Sequence, residues 1–254
     1  MDLQLRSKTI LVTAASRGLG FGTAKVLVDE GANVIICGRN EESLKIAIQK
    51  LGERARYVVA DVSTVNNVKS LIDNITEEEG VLDGLFVNAG GPPPGKFAGL
   101  SEEDWEKSFQ LTLMSAVRLT KEALPLLSKS NTPAILYSTS ISVKQPIGNL
   151  LLSNAMRPAV IGMMRTLSEE IGPKGIRVNA VCPGYINTER VEELMNASGE
   201  PERATKGITS SIPLGRMGEP NEFGNVCAFL LSPVSSYVHG ALLLVDGGMY
   251  KGMI

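Results

Sequence analysis

Short aliphatic and β-branched runs recur along the chain with helically spaced stretches between them, and that alternation constrains the fold more than any other feature. The runs are Thr9–Thr13, Asn33–Cys37, Arg56–Ala60, Gly84–Asn88, Ala134–Ser138, Arg177–Val181 and Ala241–Val245. Between them lie amphipathic stretches such as Gly20–Glu30, Glu41–Leu51, Val65–Glu78 and Ser101–Leu127. Strand alternating with helix predicts right-handed βαβ units and therefore a parallel sheet. The runs are almost wholly apolar, as strands covered on both faces must be. The expected architecture is α/β, a doubly wound seven-stranded parallel sheet with helices on both faces, built as a single domain over residues 1–254.

Composition removes several classes of function. At 43% hydrophobic and 20% charged residues the chain is ordinary globular protein, not a disordered one. A net charge of −2 with no run of Lys and Arg argues against nucleic acid as a partner. No apolar stretch reaches the roughly 18 residues of a membrane span. The N-terminal MDLQLRSKTILVT runs straight into the first strand without a signal-peptide pattern, so a cytoplasmic location is expected. Cys37, Cys182 and Cys227 are scattered, which suits small buried residues in a reducing compartment. One histidine, His239, and no cysteine cluster leave no metal site to expect. Two segments break the periodicity. Gly90–Gly99 contains three prolines and is expected to be irregular. Glu189–Ile212, rich in Glu, Ser and Thr, is expected to form a mobile helical lid.

The first strand ends in Thr13-Ala14-Ala15-Ser16-Arg17-Gly18-Leu19-Gly20 and leads into a helix. Such a turn brings helix N-terminal N–H groups against a pyrophosphate. Gly18 allows close backbone approach, and Gly20 allows the helix to pack on the sheet. After the second strand comes Ile36-Cys37-Gly38-Arg39-Asn40, with no acid for a ribose 2′-hydroxyl until Glu41. Arg39, with Arg17 beside it, offers a guanidinium to a 2′-phosphate instead, which points to NADP(H).

These residues resemble the Thr-Gly-x-x-x-Gly-x-Gly fingerprint of the short-chain dehydrogenase/reductase family, with Ala14 at the first glycine. Alanine costs little there if its φ is negative and more if it is positive. Further marks follow in register: Asp61-Val62, Asn88-Ala89-Gly90, Pro183-Gly184-Tyr185-Ile186-Asn187-Thr188, Ile212-Pro213-Leu214-Gly215-Arg216, Glu219-Pro220 and Val245-Asp246-Gly247-Gly248. The nearest general likeness is to β-ketoacyl carrier-protein reductases. The resemblance implies a Rossmann fold, a homotetramer and a small-molecule carbonyl or alcohol substrate. It also implies cofactor contacts from Thr13, Ser16, Arg17, Gly18, Leu19, Arg39, Asp61, Val62, Asn88, Ala89, Gly90, Pro183, Gly184, Ile186 and Thr188. Each mark has a structural alternative: Asp61 as a helix cap, Asn88 as a backbone tie, Thr188 as an N-cap.

The resemblance breaks at the catalytic positions. Ser140 matches the family's serine. Thirteen residues later, where the family has its tyrosine acid, stands Ser153, and four beyond that Arg157 replaces the lysine. Thr112 stands for the asparagine of the family's proton relay. A serine hydroxyl has an aqueous pKa far above the ~10 of tyrosine, and is a shorter side chain. Arg157 keeps the charge and can still fork onto ribose hydroxyls, though Arg and Lys are not interchangeable. Pro158 is comfortable only in a first helical turn, so a helix starting near Asn154–Arg157, or kinked there, is expected. Tyr185 is the best-placed substitute acid. Two readings stay open: an NADP(H)-dependent oxidoreductase using Ser140, Ser153 and Arg157, and a dinucleotide-binding sensor, scaffold or partner subunit with little activity.

Overall fold

The computed structural model describes residues 1–196 and 199–253. All seven runs are strands: β1 (Thr9–Val12), β2 (Asn33–Gly38), β3 (Ala55–Val59), β4 (Gly84–Val87), β5 (Ala134–Ser138), β6 (Arg177–Pro183) and β7 (Leu242–Val245). They form one parallel sheet in the order β3-β2-β1-β4-β5-β6-β7. The order reverses between β1 and β4, which opens a crevice at their carboxyl ends.

Helices α1 (Gly18–Asp29), α2 (Glu41–Leu51) and α3 (Val65–Glu78) follow the first three strands. Then come α4 (Glu102–Ser108), α5 (Ser115–Leu127), α6 (Leu151–Ile171), α7 (Glu189–Asn196), α8 (Pro201–Ser211) and α9 (Pro220–Leu231). Successive residues of a strand point to opposite faces, and the core divides accordingly. Leu11, Ile35, Leu85 and Tyr137 pack with Val68, Leu71 and Ile75 of α3, Leu119 and Ala123 of α5, and Met164 of α6. Ile10, Val34, Ile36 and Phe86 pack with Leu27 of α1, Leu44 of α2, and Phe223 and Cys227 of α9. Phe86 and Phe223 meet edge to face at 6.3 Å. The sheet is therefore doubly wound, as the apolar runs predict.

Two expectations change. The stretch Ser101–Leu127 is not one regular helix. Ser101 and Asp104 form a capping box that starts α4. A π-type segment, Phe109–Met114, then separates α4 from α5. Helix α6 begins at Leu151, three residues before the expected start, with Pro158 inside its second turn. The cause lies in the incoming loop. Asn154 bonds Ile147 at both N–H (3.1 Å) and C=O (2.9 Å), and the Gly95 N–H donates to Asn149 O (2.8 Å). Those ties turn the chain early, so Leu151 enters the helix first. The segment expected to form a helical lid does contain two helices, α7 and α8. Its Ala197 and Ser198, like Ile254 in the apolar C-terminal segment, lie outside the described residues. Gly90–Gly99 is irregular apart from a single 3-10 turn at Phe97–Gly99. No helix among the described residues is long and apolar enough to cross a membrane.

Candidate active site

A cleft of about 500 Å³ opens at the carboxyl ends of the central strands. Its floor at one end is the turn between β1 and α1. Gly18 sits there at φ +60°, and a Cβ on Gly20 would meet Ala14 O at 2.5 Å, so only glycine lets α1 come this close. Arg17 is extended and gives α1 no side-chain cap, and no acid occupies the first turn. The first N–H groups of α1 are thus left facing the cleft, the arrangement that takes a phosphate. The turn fits a dinucleotide in this respect. Ala14 has φ +49°, the left-handed region that disfavours a Cβ, so the conditional cost at this position is the larger one.

Thr13 does not line the cleft. It is buried, and its Oγ1 donates to Asn88 O at 2.6 Å while accepting from Asn88 N–H at 2.8 Å. The Asn88 amide returns bonds to Thr13 O (3.2 Å) and Ala14 O (3.3 Å). These four bonds tie the ends of β1 and β4 together behind the crevice, while Asn88, Ala89 and Gly90 present their outer faces to it.

Arg39 lines the same end, exposed and without an ion pair among the described residues. Glu41, the nearest acid after β2, is turned away. It pairs with Lys45 (3.3 Å) and accepts from Tyr57 Oη (3.1 Å), and the Lys45 contact lowers its pKa. It is not free to take a ribose hydroxyl. Arg17 bonds Glu189 at 2.6 Å and lies 3.8 Å from Glu193, both on α7. Asp61 accepts from Ser63 N–H (2.9 Å) and Oγ (2.7 Å) through one oxygen, which is a turn-capping role, yet it also lines the cleft. Ser16, Leu19, Val62, Pro183, Gly184, Ile186 and Thr188 line it too. Thr188 Oγ1 accepts a long bond from Val191 N–H (3.4 Å) at the start of α7.

At the far end Ser140, Ser153 and Arg157 come together. Ser140 Oγ accepts from Ser142 N–H at 3.1 Å. Arg157 donates through Nε to Ser153 Oγ (3.1 Å) and through Nη1 to Ser138 O (3.3 Å) and Thr139 O (2.9 Å). Ser153 Oγ also lies 3.3 Å from Ser142 Oγ. Ser153 is thereby an acceptor for Arg157, and in the serine pair either hydroxyl can be the donor. Arg157 keeps some surface toward the cleft, but desolvation lowers its pKa to about 10, so it remains a cation at neutral pH.

Tyr185 is not among the residues lining the cleft, and burial raises its phenol pKa. Lys144 sits over the Tyr250 ring instead. Thr112 is buried in the π-type segment with no partner for its hydroxyl, beside a small void shared with Arg157. His239 is structural: its Nδ1 accepts from Val178 N–H (3.1 Å) and its Nε2 meets Ser168 O (2.7 Å). Cys182 is buried against Thr139 Oγ1. No cluster of metal-ligating side chains occurs among the described residues.

Sequence reasoning did not find Arg190, Ser142 or the π-type segment. Arg190 lines the cleft from α7, where its Nη2 donates to Pro92 O at 2.9 Å. It follows Thr188 by two residues, and that spacing after the Pro-Gly segment was the only available signal.

Residues 13–250 match the family model described as Enoyl-(Acyl carrier protein) reductase. The chain is 34% identical to the 3-oxoacyl-(acyl-carrier-protein) reductase FabG of Chlamydia muridarum over 253 residues, covering 98% of this chain and all of that one. Its fold is similar to L-sorbose reductase from Gluconobacter frateurii, solved with NADPH and L-sorbose, at TM-score 0.95 and 28% identity over the whole of both chains. It is also similar to an NADPH-bound short chain oxidoreductase from Pseudomonas aeruginosa PAO1 described as containing an atypical catalytic center. That match has TM-score 0.90 and 28% identity, over 97% of this chain and 99% of the other.

Proposed function

Because this chain belongs to the short-chain dehydrogenase/reductase family, we propose that it is an NADP(H)-dependent oxidoreductase interconverting a carbonyl and an alcohol on a small molecule. One observation carries the reading. A single cleft has a free guanidinium, Arg39, where a 2′-phosphate belongs and a cation beside two serines where the reacting oxygen belongs. The NADPH seen in solved relatives supports the same cofactor.

A bound nicotinamide supplies the hydride. The chain's own residues hold and polarise. The α1 N-terminus and Gly18 would hold the diphosphate, with Ser16 and Leu19 beside it, and Thr188 would hold the diphosphate or the carboxamide. Arg39 and Arg17 would take the 2′-phosphate, and Asp61 and Val62 the adenine. Asn88, Ala89 and Gly90 would serve the adenosine ribose, and Pro183, Gly184 and Ile186 the nicotinamide. Ser140 donates a hydrogen bond to the substrate oxygen. Arg157 stabilises the negative charge that grows on that oxygen and holds the ribose hydroxyls. The proton that completes the alcohol comes from water or through Ser153.

A second reading has its own observation. Ser153 is occupied by Arg157 and Ser142, and no tyrosine lines the cleft. A binding protein with little turnover fits that arrangement.

NADPH and NADH binding by fluorescence, alongside NADPH oxidation with a panel of ketones and 3-oxoacyl thioesters, separates the two. Arg39→Ala is expected to weaken NADPH binding about 10- to 100-fold and leave NADH within twofold, as loss of one charged contact does. Tight binding without turnover on any carbonyl would favour the second reading. Absence of binding would remove both.

A further inference from the structure

Two guanidinium groups line the cleft that would take the substrate, Arg157 from α6 and Arg190 from α7. Burial lowers the Arg157 pKa most, and the Arg190 charge adds a lesser push in the same direction. Like charges are not brought together in a partly desolvated pocket without a counter-charge to gain. Yet Arg157 has no carboxylate partner among the described residues. Its contacts are a hydroxyl and two carbonyls, and its Nη2 forms no hydrogen bond among them.

Arg190 is held in place by a carbonyl and a shared carboxylate. Its Nη2 is anchored to Pro92 O at 2.9 Å, and among the described residues its one carboxylate contact is an exposed ion pair with Glu193 at 3.4 Å. Glu193 is shared with Arg17, at 3.8 Å. The guanidinium lies beside Gly91, where a Cβ would be in ordinary contact with Arg190 Nε at 3.4 Å. Each side of the pocket therefore brings a guanidinium: Arg157 stands with the hydroxyls Ser140 and Ser153, and Arg190 stands with Glu189 and Glu193, which also engage Arg17.

We propose that the substrate is an oxo acid (or the matching hydroxy acid) whose free carboxylate is bound by Arg190, with its carbonyl oxygen against Ser140 and Arg157. Arg190 is a specificity-determining residue in this assignment, which rests on the oxidoreductase reading above. The balanced reaction is reduction of the ketone C=O to CH–OH. The carbon gains a hydride from NADPH, the oxygen gains a proton from water, and the carboxylate is unchanged. Charge-assisted contacts to a carboxylate discriminate strongly against a neutral ester, because the ester leaves a desolvated cation unpaired.

The test compares acetoacetate with methyl acetoacetate, and pyruvate with methyl pyruvate, by NADPH oxidation. It also measures oxamate, a non-reducible oxo-acid analogue, binding to the NADPH-loaded protein by calorimetry. At least one acid is expected to exceed its ester about 100-fold in kcat/KM. Arg190→Gln is expected to erase that preference, raise the acid's KM and weaken oxamate at least tenfold, with NADPH affinity within twofold. If the esters do as well as the acids, or Arg190→Gln weakens NADPH as much as oxamate, the assignment is overturned while the oxidoreductase reading stands. If nothing is turned over but oxamate binds through Arg190, the carboxylate site stands and the oxidoreductase reading falls.

Discussion

Ala14 carries a Cβ at φ +49° on the glycine-containing turn at the floor of the cleft, and its carbonyl accepts from the Asn88 amide at 3.3 Å. An L-residue in that region costs about 1–2 kcal/mol. Ala14→Gly is therefore expected to raise stability by about 1 kcal/mol, after allowing for glycine's extra freedom in the unfolded chain. For a domain this size that is a rise of about 2–4 °C in Tm. An unchanged or lower Tm would mean the turn is not strained. Pro158 is a second local misfit. It is exposed, and lacking an N–H it leaves the Asn154 carbonyl without its helical donor. Pro158→Ala is expected to add about 2–3 kcal/mol, seen as a higher denaturation midpoint at constant m-value. At this scale the residues that line the cleft at the strand ends were legible, because they come from contiguous motifs. Thr13 was the exception: its polar side chain turns inward to Asn88, which no spacing reveals. Arg190 was illegible for the opposite reason. Its position depends on how α7 returns over the cleft to reach Pro92, a contact between residues far apart in sequence.

Helix α7 is joined to the phosphate-binding turn by charge. Arg17 holds Glu189 at 2.6 Å and approaches Glu193, and all three side chains are more than half exposed. A 2′-phosphate must take Arg17 from those carboxylates. Exposed pairs are worth about 0.2–1 kcal/mol, so the double change Glu189→Gln with Glu193→Gln is expected to tighten NADPH up to about fivefold at low salt. The gain should shrink as ionic strength rises, and NADH binding should not change. Weaker NADPH binding in that variant would show that the carboxylates support the site. The strands were readable because burial on both faces demands near-continuous apolar runs. The helix boundaries were less so. The start of α6 goes with Asn154 clamping Ile147, which leaves no periodic signature, and the π-type segment Phe109–Met114 interrupts a stretch whose spacing reads as one helix.

The whole sheet ends at β7, whose outer edge has no neighbouring strand among the described residues. That edge, Leu242–Val245, is aliphatic with no charge, and Leu243 is 41% exposed. Open apolar edges invite pairing with another chain, and natural proteins cover or charge them. A second uncovered surface runs along α6, where Ala155, Ala159, Gly162 and Thr166 lie exposed at helical spacing. Small residues in such a stripe let another helix approach closely. One self-complementary surface gives a dimer; two independent ones, related by crossed twofold axes, close a tetramer. The family resemblance implies the same number. The chain is therefore expected to sediment at four times its own mass. Leu243→Lys should reduce it to a dimer through the α6 surface, and Ala159→Arg to a different dimer through β7, with both changes together giving monomers. NADPH binding should persist in each single variant, since neither residue lines the cleft. A monomeric wild-type protein, or an assembly indifferent to both substitutions, would show that these two surfaces stay bare in solution.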